Sequence, residues 1–340
     1  MVRPARTHAA TLDDVAARAG VSRATASRVL AGSSKVSERA QQAVRDAATE
    51  LSYVARQAAR ELAGGRSDAI AFVVSETRER FFADPFFAGV LRGAQAAASD
   101  HRRQLMFAIV STDDDRARFE EYAAGGHLGG AMFLSVHANE HLPGRLERLG
   151  IPVVLAGRPP GRRPALPFVS PDNVAGGRSA AHVLIERGCR HVATIAGPPD
   201  MTASGDRLLG FRAELAEHGL PLSDELVVAG DFSPDSGYEV ARGLLARDPG
   251  IDGIFAANDL MALGALRALR EAGRSVPDDV AVVGFDDVPL AAQAHPPLTT
   301  VRQPLEAMGR QMTRMLLDAL DGLPVTSVTL ATELVVRDSA

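Results

Sequence analysis

The 340-residue chain has one cysteine, Cys189, no tryptophan, three tyrosines and a single lysine, Lys35. One thiol cannot form an internal disulfide, which points to a reducing compartment, and a cytoplasmic location is expected. No apolar run approaches the roughly 18–20 residues needed to span a bilayer, so no membrane segment is expected. The basic, polar start from Met1 to Ala10 lacks an apolar core and does not read as a secretory signal. With Lys35 alone, no G-x-x-x-x-G-K-[ST] phosphate loop occurs, and no G-x-S-x-G elbow is present. His137 and His141 stand four apart, but no third ligand is evident and Pro143 breaks the segment. Cys189 has no clear base beside it and reads as structural. An enzyme, a cofactor and a metal are all unexpected on these grounds.

What is present suits a globular protein of two or three domains, with 46% hydrophobic and 23% charged residues. The net charge of −5 is unevenly spread: residues 1–66 carry +5 and the remainder −10. A basic head on an acidic body points to a head that meets phosphate.

The head reads as three short helices. Leu12, Val15, Ala16 and Ala19 recur at helical spacing behind Thr11, a good cap, with Asp13 and Asp14 in the first turn. Gly20 supplies a tight turn. Ser22 caps a second helix on which Thr25, Ala26, Val29 and Leu30 share the packing half and Arg23, Ala24, Ser27 and Arg28 the outer half. Two exposed arginines on one helix suit bidentate pairing with guanine in the major groove. A third helix, capped at Ser37, carries Ala40, Val44, Ala47, Ala48 and Leu51 as its stripe.

From Asp68 onward short apolar runs alternate with helical patterns. Ala69–Val74, Leu105–Val110, Ala131–Leu134 and Val153–Leu155 form one series. Val192–Ala196, Leu226–Ala229, Ile254–Ala256 and Val280–Val283 form another. That is the rhythm of two doubly wound parallel sheets. Pro159–Pro164 reads as the crossover between them and Pro296-Pro297 as a second. Ligands of such sheets bind beyond the carboxyl ends of the strands, where Ser75, Glu76, Ser135, Asn258-Asp259 and Asp286-Asp287 stand, with Arg207 and Phe232 in other inter-element segments. Polar groups beside aromatic faces suit polyhydroxylated ligands, although Asp and Asn after strands also serve as plain turns and caps. Phe86 and Phe87 begin a helix and are expected in the core.

The stretch Thr11–Leu62 resembles the headpiece of the LacI/GalR family of regulators, through Thr11-Leu12, Asp14-Val15-Ala16, Ala19-Gly20-Val21-Ser22, Thr25, Ser27-Arg28-Val29-Leu30, Val36-Ser37 and Tyr53. The body resembles the same family at Phe168-Val169-x-x-Asp172-Asn173, Arg207-Leu208-x-Gly210-Phe211, Ala257-Asn258-Asp259 and Val283-Gly284-Phe285-Asp286-Asp287. The resemblance implies an α/β protein: an N-terminal three-helix helix-turn-helix headpiece plus a periplasmic-binding-protein-like body of two doubly wound α/β lobes. It implies that Arg23, Ala24 and Arg28 read bases while Thr11, Ser22, Thr25, Ser27 and Lys35 mainly touch phosphate. It also implies a hinge helix at Arg56–Leu62 whose Leu62 wedges into the minor groove, with Arg56 and Ala59 on the same DNA-facing segment. Effector contacts are implied at Ser75, Phe168, Arg207, Phe232, Asn258, Asp286 and Gln303.

Two departures qualify the resemblance. The family's Tyr-x-Pro-Asn before the hinge is Tyr53-Val54-Ala55-Arg56 here; Arg56 either strengthens contact with a narrow minor groove or is simply solvated. Where many sugar-responsive members carry an acidic residue after the fourth strand, this chain has Ala156-Gly157-Arg158, which leaves room for a larger sugar. The expected domains are a headpiece at 1–55, a hinge and linker at 56–66 and a body at 67–340. The body's N-lobe is expected at about 67–165 plus 302–325 and its C-lobe at about 166–301 plus 326–340. The expected partners are a near-palindromic double-stranded DNA operator, a carbohydrate effector and a second copy of the chain. No leucine heptad tail follows the last strand, so a tail-built tetramer is not expected. Repressor or activator, and inducer or corepressor, stay open at this point.

Overall fold

A computed structural model describes residues 10–30, 33, 35–51, 53, 67–159 and 166–340. The chain divides into two units, one ending at Asp68 and the other running Ala69–Ala340. The hinge assignments Arg56, Ala59 and Leu62 lie outside the described residues.

The first unit holds α1 (Leu12–Ala19), α2 (Arg23–Leu30) and α3 (Glu38–Glu50). Thr11 and Asp14 form a reciprocal capping box, the Thr11 hydroxyl accepting from the Asp14 amide while the Asp14 carboxylate accepts from the Thr11 amide. Gly20 ends α1 in the left-handed region at φ 65°, a conformation that favours glycine. The Ser22 hydroxyl accepts from the Thr25 amide at 3.1 Å and so caps α2. Ser37 stands at the start of α3 but its hydroxyl makes no capping bond; instead Gln41 Nε2 donates to the Val36 carbonyl at 2.8 Å. Val15, Ala16, Ala26, Val29, Val44 and Ala47 close the small core, drawn from the stripes the helical spacing predicts.

The second unit begins with β1 (Ala69–Val74), α4 (Arg78–Ala83), α5 (Pro85–Asp100), β2 (Gln104–Ile109), α6 (Asp113–Tyr122), β3 (Gly130–Leu134), α7 (Leu142–Arg148), β4 (Val153–Ala156) and β5 (Phe168–Pro171). It continues with α8 (Asn173–Glu186), β6 (Val192–Ala196), α9 (Thr202–Glu217), β7 (Val227–Ala229), α10 (Pro234–Arg247), β8 (Gly253–Ala256), α11 (Asp259–Glu271), β9 (Ala281–Asp286), α12 (Pro289–Gln293) and β10 (Thr299–Arg302). It ends with α13 (Leu305–Leu320), β11 (Val328–Leu330) and β12 (Glu333–Val335). Two six-stranded sheets result, in the orders β11-β5-β4-β3-β1-β2 and β12-β10-β9-β8-β6-β7. All pairings are parallel except β10 with β12, and inner strands such as β1, β3, β6, β8 and β9 are buried on both faces, as parallel sheets flanked by helices require.

The lobe boundaries differ from those expected. β5 pairs with β4, Leu155 opposite Phe168, and β11 pairs with β5, so both belong to the first lobe. The chain therefore crosses after Pro171, again between β10 and α13, and a third time between β11 and β12. Pro296-Pro297 is not a crossover; it leads into β10, which pairs with β9 in the same lobe. Methionines and leucines of α13 (Met308, Met312, Met315, Leu316) pack with Phe87, Val90 and Ala94 of α5 against the first sheet. In the second lobe α8 and α9 meet closely at glycines. A Cβ at Gly177 would lie 2.1 Å from the Arg207 carbonyl oxygen, and one at Gly210 2.0 Å from that of Val174. Only glycine permits this approach, and it brings Arg207 against the start of α8.

Candidate functional site

A cavity of about 730 Å³, its mouth included, opens between the lobes at the carboxyl ends of both sheets, where ligands of open α/β folds bind. Its floor in the second lobe is a polar constellation. Arg207, on α9, is buried; its Nε donates to Asn173 Oδ1 at 2.9 Å and its Nη1 to the Ala257 carbonyl at 2.5 Å. Its guanidinium lies 3.8 Å from the Phe285 ring centroid and 3.4 Å from Asp286 Oδ1. Gln303 Nε2 donates to the same Asp286 oxygen. Asn258 caps α11 by accepting from the Met261 amide at 2.9 Å and donates to the Phe232 carbonyl at 3.0 Å. Asp286 and Phe232 both hold positive φ, 114° and 70°, strained values for residues with side chains and of a kind that concentrates at ligand sites.

Charge in this floor is unbalanced. Burial pushes the Asp286 carboxyl up to about 7, the charge of Asp84 adds to the shift, and Arg207 and Gln303 oppose it. Burial likewise raises Asp84 and lowers Arg207. A polyol that bonds to these groups replaces hydration they have lost, so the floor is poised for hydroxyl recognition.

From the first lobe come Phe86, Phe87, Ser135, Gly157 and Arg158. Phe87 belongs to the core as expected, and both phenylalanines also face the cavity. Three polar contacts span the lobes. His137 Nδ1 pairs with Asp200 at 2.7 Å, Arg158 with Asp206 at 2.6 Å, and Arg80 donates to the Asp231 carbonyl at 3.0 Å while lying 4.9 Å from the Phe232 ring centroid. His137 Nε2 also reaches Glu76 at 3.3 Å. That hydrogen bond, with Asp200 on the other nitrogen, raises the imidazole above its ordinary value.

Of the seven expected effector residues, Arg207, Phe232, Asn258, Asp286 and Gln303 line the cavity. Phe168 does not: it opens β5 at the amino end of the strand, packed with the cluster containing Ala71 and Leu155, and Pro171 at the carboxyl end faces the cavity instead. Ser75 is buried beyond β1 with its Oγ unpartnered and is not among the lining residues. Two further acidic positions are structural. Asp259 accepts from the Val288 amide at 2.8 Å and Thr300 Oγ1 at 2.5 Å, and Asp287 is held by Arg302 and Arg337. Arg80, Asp84 and Asn173 were not expected. Arg80 lies within α4 and Asp84 just after it, beyond the reach of the strand-end rule.

In the first unit Arg23, Ala24 and Arg28 are exposed on α2, and Thr11, Ser22 and Lys35 are exposed outside it, while Thr25 and Ser27 are half-buried. Thr25 shares a hydrogen bond with Ser22 at 2.9 Å. Arg23 lies 3.5 Å from Asp13, an exposed surface pair of little energetic worth.

An exposed recognition helix in one unit and an interlobe cavity in the other define a ligand-responsive DNA-binding regulator. Family models agree: "Bacterial regulatory proteins, lacI family" matches residues 11–55 and "Periplasmic binding protein-like domain" matches residues 181–340. The HTH-type transcriptional regulator CelR of Thermobifida fusca is 46% identical over 332 residues, 97% of this chain and 98% of that one. The Ribose operon repressor of Halalkalibacterium halodurans is 34% identical over 97% of this chain and 96% of its own length. The solved CelR–cellobiose complex superposes with a TM-score of 0.79 at 45% identity, covering 97% of this chain and 100% of that one. The lac repressor dimer bound to operator and the anti-inducer ONPF gives 0.81 at 25% identity over 98% and 99%. The chain belongs to the LacI family of bacterial regulatory proteins and is a DNA-binding transcriptional regulator. Among the described residues no helix is long and apolar enough to cross a membrane.

Proposed function

We propose that the chain acts as a homodimeric repressor on a near-palindromic operator, and that a disaccharide held between its lobes sets its operator affinity. The carrying observation is the convergence of Arg207, Asn258 and Asp286 with Phe86, Phe87 and Phe232 around one cavity. Charged and amide groups bond sugar hydroxyls, and the phenyl rings cover the apolar faces of the pyranose rings. Gly157 presents no side chain where a bulkier residue would shorten the cavity. The relative solved with cellobiose supports a β-linked glucose disaccharide as the effector. Arg23 and Arg28 on α2 supply base readout, with Ala24 lying against a base edge. Thr11, Ser22, Thr25, Ser27 and Lys35 supply phosphate contacts.

The effector works only if it binds the DNA-competent and DNA-incompetent forms unequally. A sugar bridging both lobes touches the same walls as the His137–Asp200, Arg158–Asp206 and Arg80–Asp231 contacts, so its binding and the lobe angle are linked. Calorimetry of the purified chain with cellobiose, glucose and adenine tests the ligand class. Cellobiose binding at least tenfold tighter than glucose, with no adenine binding, is expected. Adenine binding in preference to both sugars contradicts the carbohydrate reading.

A further inference from the structure

Beyond the Gly177–Gly210 approach, α8 and α9 bring three further side chains together on the outer surface of the second lobe. His182 on α8, Glu214 on α9 and His218 at its end each place one ligand atom within 4.8 Å of the other two. Glu214 Oε1 is 3.4 Å from His182 Nδ1 and 3.8 Å from His218 Nδ1. A zinc-type ion bound at about 2.0–2.1 Å in a tetrahedron sets its ligand atoms roughly 3.3–3.5 Å apart, so one edge of the site already has the required length.

The second polar atoms of Glu214 and His182 are already engaged. Arg178 Nη1 donates to Glu214 Oε2 at 2.8 Å, which leaves Oε1 for a cation. His218 Nδ1 lies 2.9 Å from the Glu214 carbonyl, a contact it would exchange for a cation held against Glu214 Oε1. His182 Nε2 lies 3.4 Å from Glu186 Oε1, which leaves Nδ1 facing Glu214. An imidazole oriented by a carboxylate on its far nitrogen, as His182 is by Glu186, is a usual support of a metal ligand set. The positive charge of Arg178 is itself met by Glu217 at 2.7 Å. Both helices end here, α8 at Glu186 and α9 at Glu217, and helix carboxyl ends favour cations.

We propose that His182, Glu214 and His218 form a divalent transition-metal site, with water completing the shell, that clamps α8 to α9. Two imidazoles and one carboxylate suit zinc and its neighbours in the first row over magnesium or calcium. The site is separate from the effector cavity, although the same two helices carry Asn173 and Arg207 there.

The test uses the full chain without a histidine tag, stripped by chelator and titrated with Zn²⁺ by calorimetry and with Co²⁺ by visible absorption. One ion per chain is expected, with the intense d–d bands of low-coordinate cobalt and a Zn²⁺-dependent rise in melting temperature. His182→Ala and His218→Ala, both exposed positions where folding is not at stake, should each weaken binding by more than tenfold and abolish the bands. Glu186→Gln should weaken it by about tenfold, the usual effect of losing an outer support. His101→Ala, a surface histidine elsewhere, should change nothing. Equal Zn²⁺ affinity in the wild type and in both histidine variants would overturn the site, as would no binding at millimolar metal.

Discussion

Replacing Asp286 with asparagine separates the stability of the body from its sensing chemistry. The Asp286 carboxyl is raised by burial from an ordinary 3.8 to about 7, so folding favours its neutral form. A raised carboxyl stabilises the fold fully below about pH 4, and that contribution is lost as the pH climbs through 7. By about pH 8 the buried charge therefore costs on the order of 4 kcal/mol relative to a neutral isostere, and at about pH 5 roughly 1.5 kcal/mol. Asparagine keeps the shape and can still accept from Gln303. The Asp286→Asn body should melt higher than wild type at both pH values, and the gap should widen by about 5 °C or more at pH 8. Sensing moves the other way. At about pH 8, where the carboxyl is charged, loss of this acceptor for sugar hydroxyls removes about 1.5–3 kcal/mol, so disaccharide affinity should fall about 10- to 150-fold. Thermal melts at the two pH values and calorimetry with cellobiose read both effects. A variant no more stable than wild type at pH 8, or an equal gap at both pH values, would refute the buried-charge reasoning.

Gly177→Ala should destabilise the body by about 1–3 kcal/mol, because its Cβ meets the Arg207 carbonyl and α8 and α9 must part; denaturant melts measure it. Thr11→Ala breaks the capping box and should cost the first unit about 1 kcal/mol, read by melting residues 1–68 within the whole chain by hydrogen exchange. Arg28→Ala should lose about 1–3 kcal/mol on operator and little on random DNA, whereas Lys35→Ala should weaken both and lower the salt slope by about one. Equal losses for Arg28→Ala on both DNAs would remove it from base readout.

Much of this architecture was legible because its signals are periodic. The apolar stripes of α1, α2 and α3 and the alternation of strands and helices follow from side-chain spacing alone. The lobe boundaries were not legible. β5 has four residues and β11 three, too short to show a run, and sheet membership is set by pairing with β4 rather than by order in the chain. Phe168 was misplaced for the same reason: strand direction puts the cavity at Pro171, and no local pattern states where a strand starts. The floor residues Arg207, Asn258, Asp286 and Gln303 were found because they follow strands or match motifs. Asp84 reads locally as a helix cap before Pro85, and only the fold reveals its second role beside Arg207. The His182, Glu214 and His218 cluster was hidden because its first member lies on a different helix from the other two.

The central claim is that a sugar between the lobes governs operator affinity. Its most direct test measures binding of the full chain to a duplex selected by the protein itself from random sequence, by fluorescence anisotropy at fixed salt, with and without saturating cellobiose. Coupling of about 1–3 kcal/mol is expected, a change in operator Kd of roughly 5- to 150-fold, and in Asp286→Asn it should need about 10- to 150-fold more sugar while sugar-free operator binding stays intact. An operator Kd that cellobiose leaves unchanged, under conditions where calorimetry shows the cavity filled, would contradict the account.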